Sequence, residues 1–213
     1  MVEKELDRSQ VKLDQILTAA TKRFGHYGLS KTAMIDIATD IGMSKASLYY
    51  YFKDKESIFA AVIEKEQDFF VQEMKKMIRS SDNAELMLNE YVTLRINVLK
   101  KMLTLGKFTY SSFMEIKPQL GCLMQDFKKE ETNMIAEILD FGIKNIEFSE
   151  VDIQKHAEFF IDTLLSIRKA VISDHADGDV DFTPKKYQKV KDQSIMFAHI
   201  FIKGITAQQV KLL

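Results

Sequence analysis

Cysteine, proline, glycine and tryptophan are all scarce in this sequence of 213 residues. It contains one cysteine, two prolines, eight glycines and no tryptophan. The single cysteine, Cys122, excludes an intramolecular disulfide and favours a reducing compartment. Because prolines and glycines are few, long stretches run uninterrupted, and apolar residues recur three and four positions apart along most of the chain. The sequence therefore predicts an all-α protein.

Long apolar runs are also missing. No stretch approaches the roughly 18 apolar residues that a membrane-spanning helix needs. Residues 1–10 are rich in charge and have no apolar segment of the kind found in secretory signals. We therefore expect a cytoplasmic protein that does not span a membrane.

The chain has no excess of positive charge either. Thirty basic and thirty-one acidic side chains give a net charge of -1, which is not typical of a protein that binds nucleic acid over its whole surface. The segment from Lys22 to Lys55, however, contains six basic and three acidic residues, which gives it a local charge of +3. Any DNA-binding surface should therefore be confined to this segment.

Signatures of catalysis and of metal binding are absent from the sequence. It has no glycine-rich phosphate loop, no Gly-x-Ser-x-Gly turn and no zinc-ligand spacing. The acidic stretch 174–181 fits a calcium loop poorly, because Phe182 falls where the turn glycine belongs and Gln188 where the bidentate Glu belongs. We predict no enzymatic activity, no metal and no cofactor, and a solvated loop over residues 174–182.

Three helices are predicted in the first quarter of the chain, of which the second and third are short. The first spans residues 10–27 and ends at Gly28, the second is capped by Thr32, and Gly42 allows the tight turn before the third. Ser44 caps this third helix, residues 45–52. The predicted inward face of the second helix comprises Ile35, Ile37, Ala38 and Ile41. Two short helices joined by a tight turn can place the second one in the major groove of DNA.

Longer helices are predicted after Asp54. A helix over residues 55–80 would be shared between two domains, and its inward face should comprise Ile58, Ala61, Val62, Phe69, Met74 and Met77. Ser81 or Asp82 should cap the next helix, to residue 105, while Gly106, Pro118 and Gly121 should divide the following stretch into a short helix and a longer one that ends near residue 145.

The last two predicted helices start at recognisable caps. The sequence from Ser149 to Asp152 resembles a capping box that opens a helix toward residue 173. Thr183 followed by Pro184 opens the final helix, to about residue 203. We therefore predict a helix-turn-helix domain over residues 8–54, with its motif at about 32–51, and a larger helical regulatory domain over residues 55–213.

The third helix carries the predicted DNA contacts. Leu48 and Phe52 lie four positions apart and should face the second helix, which leaves polar and aromatic side chains on the outer surface. Lys45 and Tyr49 are suited to bases or phosphates, and Ala46 to a thymine methyl. Helix N-termini favour phosphate, so Thr32, Ser44 and Lys55 are predicted positioning contacts. The full predicted set is Thr32, Ser44, Lys45, Ala46, Ser47, Tyr49, Tyr50 and Lys55.

The same residues carry a family resemblance. Their order and spacing resemble those of the TetR family of regulators. The residues that match are Phe24, Gly28, Thr32, Ile37-Ala38, Gly42, Ser44-Lys-Ala-Ser-Leu48-Tyr49, Phe52 and Lys55. The chain departs from that pattern at Tyr51, where members often have His, and at Met34, where a polar side chain would more readily touch the DNA backbone. The resemblance implies a three-helix DNA-binding domain on an all-α domain for ligand binding and dimerisation, usually in a repressor released by a small molecule.

Specific DNA binding usually needs two recognition helices, so we expect a homodimer on a pseudo-palindromic, double-stranded operator. The last two helices carry more apolar residues than one face needs, which suits a four-helix interface. The predicted interface residues are Phe160, Leu164, Ile167, Val171, Met196 and Ile200, with membership of the chain's own core as the alternative. The predicted pocket for an unknown small-molecule effector comprises Tyr91, Met102, Phe113, Met124 and Phe127, which would equally suit a core.

Two functional hypotheses follow from these patterns, and a helical enzyme is a third, for which no catalytic residue can be named. The first is a homodimeric transcription regulator, a repressor released from its operator by a small apolar or amphipathic ligand. The second is a helical small-molecule carrier or adaptor dimer that does not recognise specific DNA.

Overall fold

The computed structural model describes residues 2–106, 110–172 and 183–207, with side chains for residues 9–101, 120–172 and 183–207. Over these residues the chain forms eight α-helices, which confirms the all-α prediction. They are α1 (Val2–Tyr27), α2 (Met34–Asp40), α3 (Lys45–Tyr51), α4 (Lys55–Ser80), α5 (Ala84–Gly106), α6 (Tyr110–Lys144), α7 (Ile153–Ile172) and α8 (Pro184–Ile205). None of the helices, as far as they are described, has both the length and the apolar character needed to cross a membrane.

The chain divides into two compact units. The first comprises Met1–Glu66 with Lys101–Leu123, and the second comprises Gln67–Lys100 with Met124–Leu213. Three long helices, α4, α5 and α6, therefore contribute residues to both units. The first unit is larger than the predicted domain of residues 8–54, because it includes the first half of α4.

The first unit is held together by apolar side chains from α1 and α4, among others. Ile16, Ala20 and Phe24 lie four residues apart on α1 and are fully buried, as helical periodicity requires. The ring of Phe24 meets that of Phe59 on α4 edge to face, with centroids 5.3 Å apart. An ion pair between Lys65 and Asp14 also joins α4 to α1, at 2.8 Å.

The second unit has a larger core, formed by five helices. Rings dominate its centre: Phe160 packs against Phe201 at 4.9 Å and against Phe197 at 5.3 Å between centroids. Phe70 and Tyr91 add a further edge-to-face pair at 5.6 Å. Aliphatic residues of α6 complete it, including Ile135 and Ile138. Large buried rings of this kind contribute much of the apolar burial that stabilises a helical fold.

Several helix ends were predicted correctly from their cap residues. Gly28 has a φ of 81° and its N–H bonds the carbonyl of Phe24, as a residue that ends a helix should. Ser44 accepts a hydrogen bond from the Ser47 N–H at the start of α3, and Thr183 accepts one from the Lys186 N–H at the start of α8. The predicted helix over residues 55–80 is confirmed as α4.

The predicted division of α6 is wrong. This helix continues from Tyr110 to Lys144 through both Pro118 and Gly121. An interior proline removes a backbone hydrogen bond and costs about 3 kcal/mol. Several apolar side chains of α6 are buried, among them Leu120, Met134 and Leu139, and their burial offsets that cost.

Three predicted caps are corrected. Ala33, not Thr32, precedes α2, and the Asp36 carboxylate accepts the Ala33 N–H at 2.9 Å. Asn83, not Ser81 or Asp82, caps α5 by accepting the Leu86 N–H. The helix predicted from Ser149 begins at Ile153, where Asp152 accepts the Lys155 N–H. In each case a carboxylate or amide a few positions away made a better cap than the residue that was predicted.

Two helix faces also differ from prediction by one position. Ile35 and Phe69 are exposed, whereas their neighbours Met34 and Phe70 are buried. A shift of one residue turns a helical side chain by about 100°, so a neighbour of equal hydrophobicity is easily mistaken for the inward residue. Met34 therefore belongs to the core of its unit. The predicted loop over residues 174–182 lies outside the described residues.

Candidate nucleic-acid interface and ligand cavity

The turn between α1 and α2 is tied down by polar contacts. The Lys55 ammonium, at the start of α4, donates to the carbonyls of Leu29 and Ser30 at 2.9 and 3.2 Å. The Thr32 side chain is buried, and its hydroxyl donates to the Gly28 carbonyl at 2.8 Å. Both side chains were predicted to contact phosphate, and both are engaged within the protein. Their packing holds the residues before the helix-turn-helix in place.

An ion pair fixes α2 against α1. The Arg23 guanidinium donates from Nε and Nη2 to the two carboxylate oxygens of Asp40, at 2.6 and 2.7 Å. These hydrogen bonds hold the pKa of Asp40 below its usual range. A bidentate pair of this geometry is directional, so it limits rotation of α2 about its axis. Local spacing did not reveal it, because the two residues are 17 positions apart.

The turn between α2 and α3 sets the direction of the third helix. Gly42 has a φ of 63°, a conformation that is strained for residues with a Cβ. The next N–H, of Met43, bonds back to the Ala38 carbonyl at 2.9 Å. Ser44 then starts α3, with its hydroxyl 2.8 Å from that of Ser47. This short, closed connection gives the helix-turn-helix that the spacing predicted.

α3 presents one face to the protein and the other to solvent. Leu48 is completely buried, while Tyr49 is 45% exposed and Tyr50 is 86% exposed. The Lys45 ammonium lies 5.7 Å from the centre of the Tyr49 ring, so the cation and the aromatic face form one surface. The structure thus brings six of the eight predicted contacts together on and beside α3. They are Ser44, Lys45, Ala46, Ser47, Tyr49 and Tyr50, all exposed.

This exposed surface, Ser44–Tyr50 without Leu48, has the chemistry of a DNA-reading helix. Lys45 can neutralise a phosphate or bond a guanine edge, and the tyrosines can stack or donate to the backbone. The hydroxyls of Ser44 and Ser47 are small enough to allow close approach to DNA. We call this surface the recognition face.

The predicted interface on the last two helices is only partly exposed. Met196 and Ile200 are 59% and 62% exposed and lie four residues apart on α8. Phe160, Leu164 and Val171 are buried in the chain's own core, so their predicted place in a dimer interface is corrected; Ile167 is half-buried. Phe159 and Ile195 are exposed and replace them on the outer surface. We call Phe159, Ile195, Met196 and Ile200 the exposed α7–α8 face.

Of the predicted ligand-pocket residues, the three whose side chains are described do not line a common cavity. Tyr91 is fully buried in the core, Phe127 packs against that core at Phe70, and the Met124 sulfur lies 3.9 Å from the Gln67 amide nitrogen. The side chains of Met102 and Phe113 lie outside those described. A small cavity of about 10 Å³ does exist in the second unit, between α5, α7 and α8. Its lining comprises Val92, Arg95, Ile96, Leu99, Leu164, Arg168, Val190 and Ser194.

Arg95, which lines this cavity, belongs to a cluster of polar groups with Tyr91 and Glu131. The Glu131 carboxylate on α6 accepts hydrogen bonds from Arg95 Nε and from the Tyr91 hydroxyl, both at 2.5 Å, and from Arg95 Nη2 at 3.1 Å. Burial raises the pKa of Tyr91 well above its usual value, with Glu131 adding to the effect, so the phenol stays a donor. The spacing of Tyr91 and Arg95 on α5 could not reveal this cluster, because Glu131, which joins them, lies on α6.

Comparison with known proteins gives one family model and several regulators. Residues 16–62 match the model of "Bacterial regulatory proteins, tetR family". A transcriptional regulator of Cytophaga hutchinsonii is 40% identical, with a TM-score of 0.84 over 92% of this chain and 99% of that one. The transcriptional regulator RutR of Escherichia coli is 34% identical over 88 residues, 41% of each chain. The fatty acid metabolism regulator protein of Bacillus subtilis is 23% identical over 68% of this chain and 75% of that protein.

Proposed function

The chain belongs to the tetR family of bacterial regulatory proteins, and we propose that it acts as a homodimeric repressor that leaves a pseudo-palindromic operator when a small apolar or amphipathic ligand binds. Like its relatives it is a DNA-binding transcriptional regulator and not an enzyme. The observation that carries the proposal is the recognition face: six exposed groups on a helix whose inner side is anchored by Leu48.

On this proposal residues 8–54 form the DNA-binding domain, and α3 enters the major groove. Lys45 and Tyr49 read bases or the adjoining backbone, while Ser44, with its hydroxyl at the start of α3, positions the helix against phosphate. Thr32 and Lys55 contribute chiefly by holding the turn before α2, since their polar atoms already have partners inside the protein.

A second copy of the chain supplies the second recognition helix. The exposed α7–α8 face supports this part of the proposal, because apolar side chains grouped on one surface are typical of subunit interfaces. Two such faces brought together would form a four-helix interface. The cavity lined by α5, α7 and α8 supports a ligand site in the same unit as that face.

A DNA footprint upstream of the protein's own coding region tests the proposal. We expect two protected half-sites, about 34–36 Å apart or a multiple of that distance. Replacing both Lys45 and Tyr49 with Ala should weaken binding by about 2 kcal/mol or more, since a good base contact contributes about 1–3 kcal/mol. Lys22→Ala is the matched control, because it removes the same charge from an exposed position on α1.

Two outcomes would contradict the proposal. One is the absence of a protected pseudo-palindrome. The other is an equal loss of affinity in the Lys22→Ala control and the double variant, which would indicate attraction by net charge alone. If the protein protected no DNA and the double variant had the same effect in cells as the wild type, the carrier or adaptor hypothesis would replace the repressor hypothesis.

A further inference from the structure

The lining of the cavity between α5, α7 and α8 is mostly apolar but includes two cationic side chains. Val92, Ile96, Leu99, Leu164 and Val190 supply most of its wall, and the polar side chains are Arg95, Arg168 and Ser194. At about 10 Å³ it has room for roughly one water molecule. Two arginines beside so small an apolar space are unusual, because a charge near low-polarity surroundings needs a partner.

Arg95 has such a partner. Its guanidinium donates twice to Glu131, and the side chains of Arg95 and Glu131 are 13% and 1% exposed. Burial by itself would lower the pKa of Arg95, but the adjacent carboxylate reverses the effect and the pKa is raised. Glu131 Oε1 also accepts the Tyr91 hydroxyl, and Oε2 accepts Arg95 Nη2, so both oxygens have donors.

Arg168 differs from Arg95. It lies half-buried on α7, and its guanidinium forms no hydrogen bond or ion pair with any residue whose side chain the structure describes. Burial, followed by repulsion from Arg95, lowers the pKa of Arg168 to about 10, and attraction to the Glu131 carboxylate offsets only part of that shift. The group is still protonated at neutral pH, so this cluster holds two cations and one carboxylate.

We propose that Arg168 binds the carboxylate of an apolar monocarboxylate ligand, whose tail packs against Val92, Leu164 and Val190. This inference rests on the proposed function and specifies the chemistry of its ligand. One carboxylate balances the positive charge that Arg168 adds to the Arg95–Glu131 pair among the described side chains, and its two oxygens match the planar fork of a guanidinium. A phosphate would bring more charge than the site lacks, and the apolar wall favours a hydrocarbon tail.

The ligand must enlarge the cavity when it binds, since the space present holds only about one water. Enlargement would separate α5 from α7 and α8, the two helices that also carry the exposed α7–α8 face. A ligand that prefers this wider arrangement shifts the protein toward it by its difference in affinity for the two states. The effect on DNA binding would follow from a change in the dimer.

Calorimetric titration of the full-length protein with sodium octanoate, octanamide and sodium acetate tests the proposal. Octanamide has the same chain but no charge, and acetate has the charge without the tail. We expect octanoate to bind about tenfold or more tightly than either, because each lacks one of the two interactions. Arg168→Met should reduce octanoate affinity by about tenfold or more, and Arg168→Lys by less. Lys169→Met, an exposed neighbour on α7, should bind octanoate like the wild type.

Thermal unfolding without ligand provides a second readout. Arg168→Met should unfold at the same temperature as the wild type or higher, because it removes an unpaired charge. Equal binding of octanoate and octanamide by the wild-type protein would overturn the proposal without reference to any variant. Equal binding of acetate and octanoate would overturn the apolar tail and indicate a site for a free small anion.

The titration contains no DNA, so it can fail independently of the repressor function. A footprint that forms normally, with no octanoate binding, would leave a repressor whose ligand is not a carboxylate. If octanoate binds through Arg168 but no footprint forms, the repressor function would be rejected and the protein would be a carboxylate-binding protein.

Discussion

Glu131 is the residue on which the polar cluster of the second unit depends. It is almost completely buried, it carries the negative charge of the cluster, and it receives three hydrogen bonds from two side chains. Buried ion pairs add little stability over apolar packing, but removing one partner leaves the other charge uncompensated. If the Glu131 charge were removed, Arg95 and Arg168 would remain as two nearby positive charges without it.

Replacing Glu131 with Gln should therefore lower the free energy of unfolding by about 3–5 kcal/mol, as urea denaturation would measure. Glu130→Gln is the matched control on the next residue. Glu130 pairs with Lys75 at 2.7 Å, with both side chains well exposed, so its loss should cost about 1 kcal/mol or less. Similar losses in the two variants would show that Arg95 and Arg168 do not depend on the buried carboxylate.

Helix ends were predicted well where one local residue supplies the cap, and were missed where a neighbouring side chain was the better cap or a distant group completes it. Ser44, Thr183 and Gly28 act locally, and their helices begin or end where expected. The start of α5 is different: its Ala84 N–H donates to the Glu147 carboxylate, 63 positions away, at 2.9 Å. No pattern of neighbouring residues could indicate that contact, or the passage of α6 through Pro118.

Close packing at the end of α6 makes a glycine necessary there. A Cβ at Gly142 would lie 2.3 Å from Cδ2 of Phe148 and 2.9 Å from Cβ of Ala84, whereas one at Gly121 of the same helix would meet nothing within 4 Å. Gly142→Ala should lower the free energy of unfolding by about 1–3 kcal/mol, because the ring must move. Gly121→Ala should leave it unchanged or raise it by about 0.5–1 kcal/mol.

Urea denaturation of the two alanine variants measures this difference directly, since the substitution and the helix are the same in both. A stabilised Gly142→Ala protein would mean that Phe148 adjusts without loss. Phe148 belongs to the segment that joins α6 to α7 and pairs with Thr206, so its displacement should disturb more than one helix end.

At the scale of the whole molecule, the class of protein could be predicted from the sequence more accurately than the residues that would join two subunits. The recognition face follows from one short motif, and its exposed residues could be named in advance because Leu48 defines the inner side of α3. On α7 both sides are apolar, so periodicity could not separate the core residue Phe160 from the exposed Phe159. The pairing of Arg95 with Glu131 was equally invisible, because it depends on how α5 and α6 pack.

Replacing both Met196 and Ile200 with Glu should convert the proposed dimer into monomers. Two carboxylates on each copy would repel across a two-fold interface and would lose the apolar contact. Light scattering during gel filtration should then give a mass near 24.6 kDa instead of twice that value. Leu86→Glu is the control, because it places a Glu at another exposed apolar position of the second unit. This variant should remain dimeric.

A circular dichroism spectrum that still shows the native helix content would establish that the monomeric variant is folded. If the wild-type protein itself has the mass of one chain, the exposed α7–α8 face does not join two copies.

The exposed ring of Tyr50 has a thermodynamic consequence. Before DNA binds, this side chain keeps 86% of its surface in water on the recognition face. Contact with the sugar and base edges of a groove would remove much of that apolar surface from water, which lowers the heat capacity of the complex. Salt screens the attraction between Lys45 and phosphate but does not screen this burial. The affinity for the operator should therefore retain a component that depends on temperature more than on ionic strength.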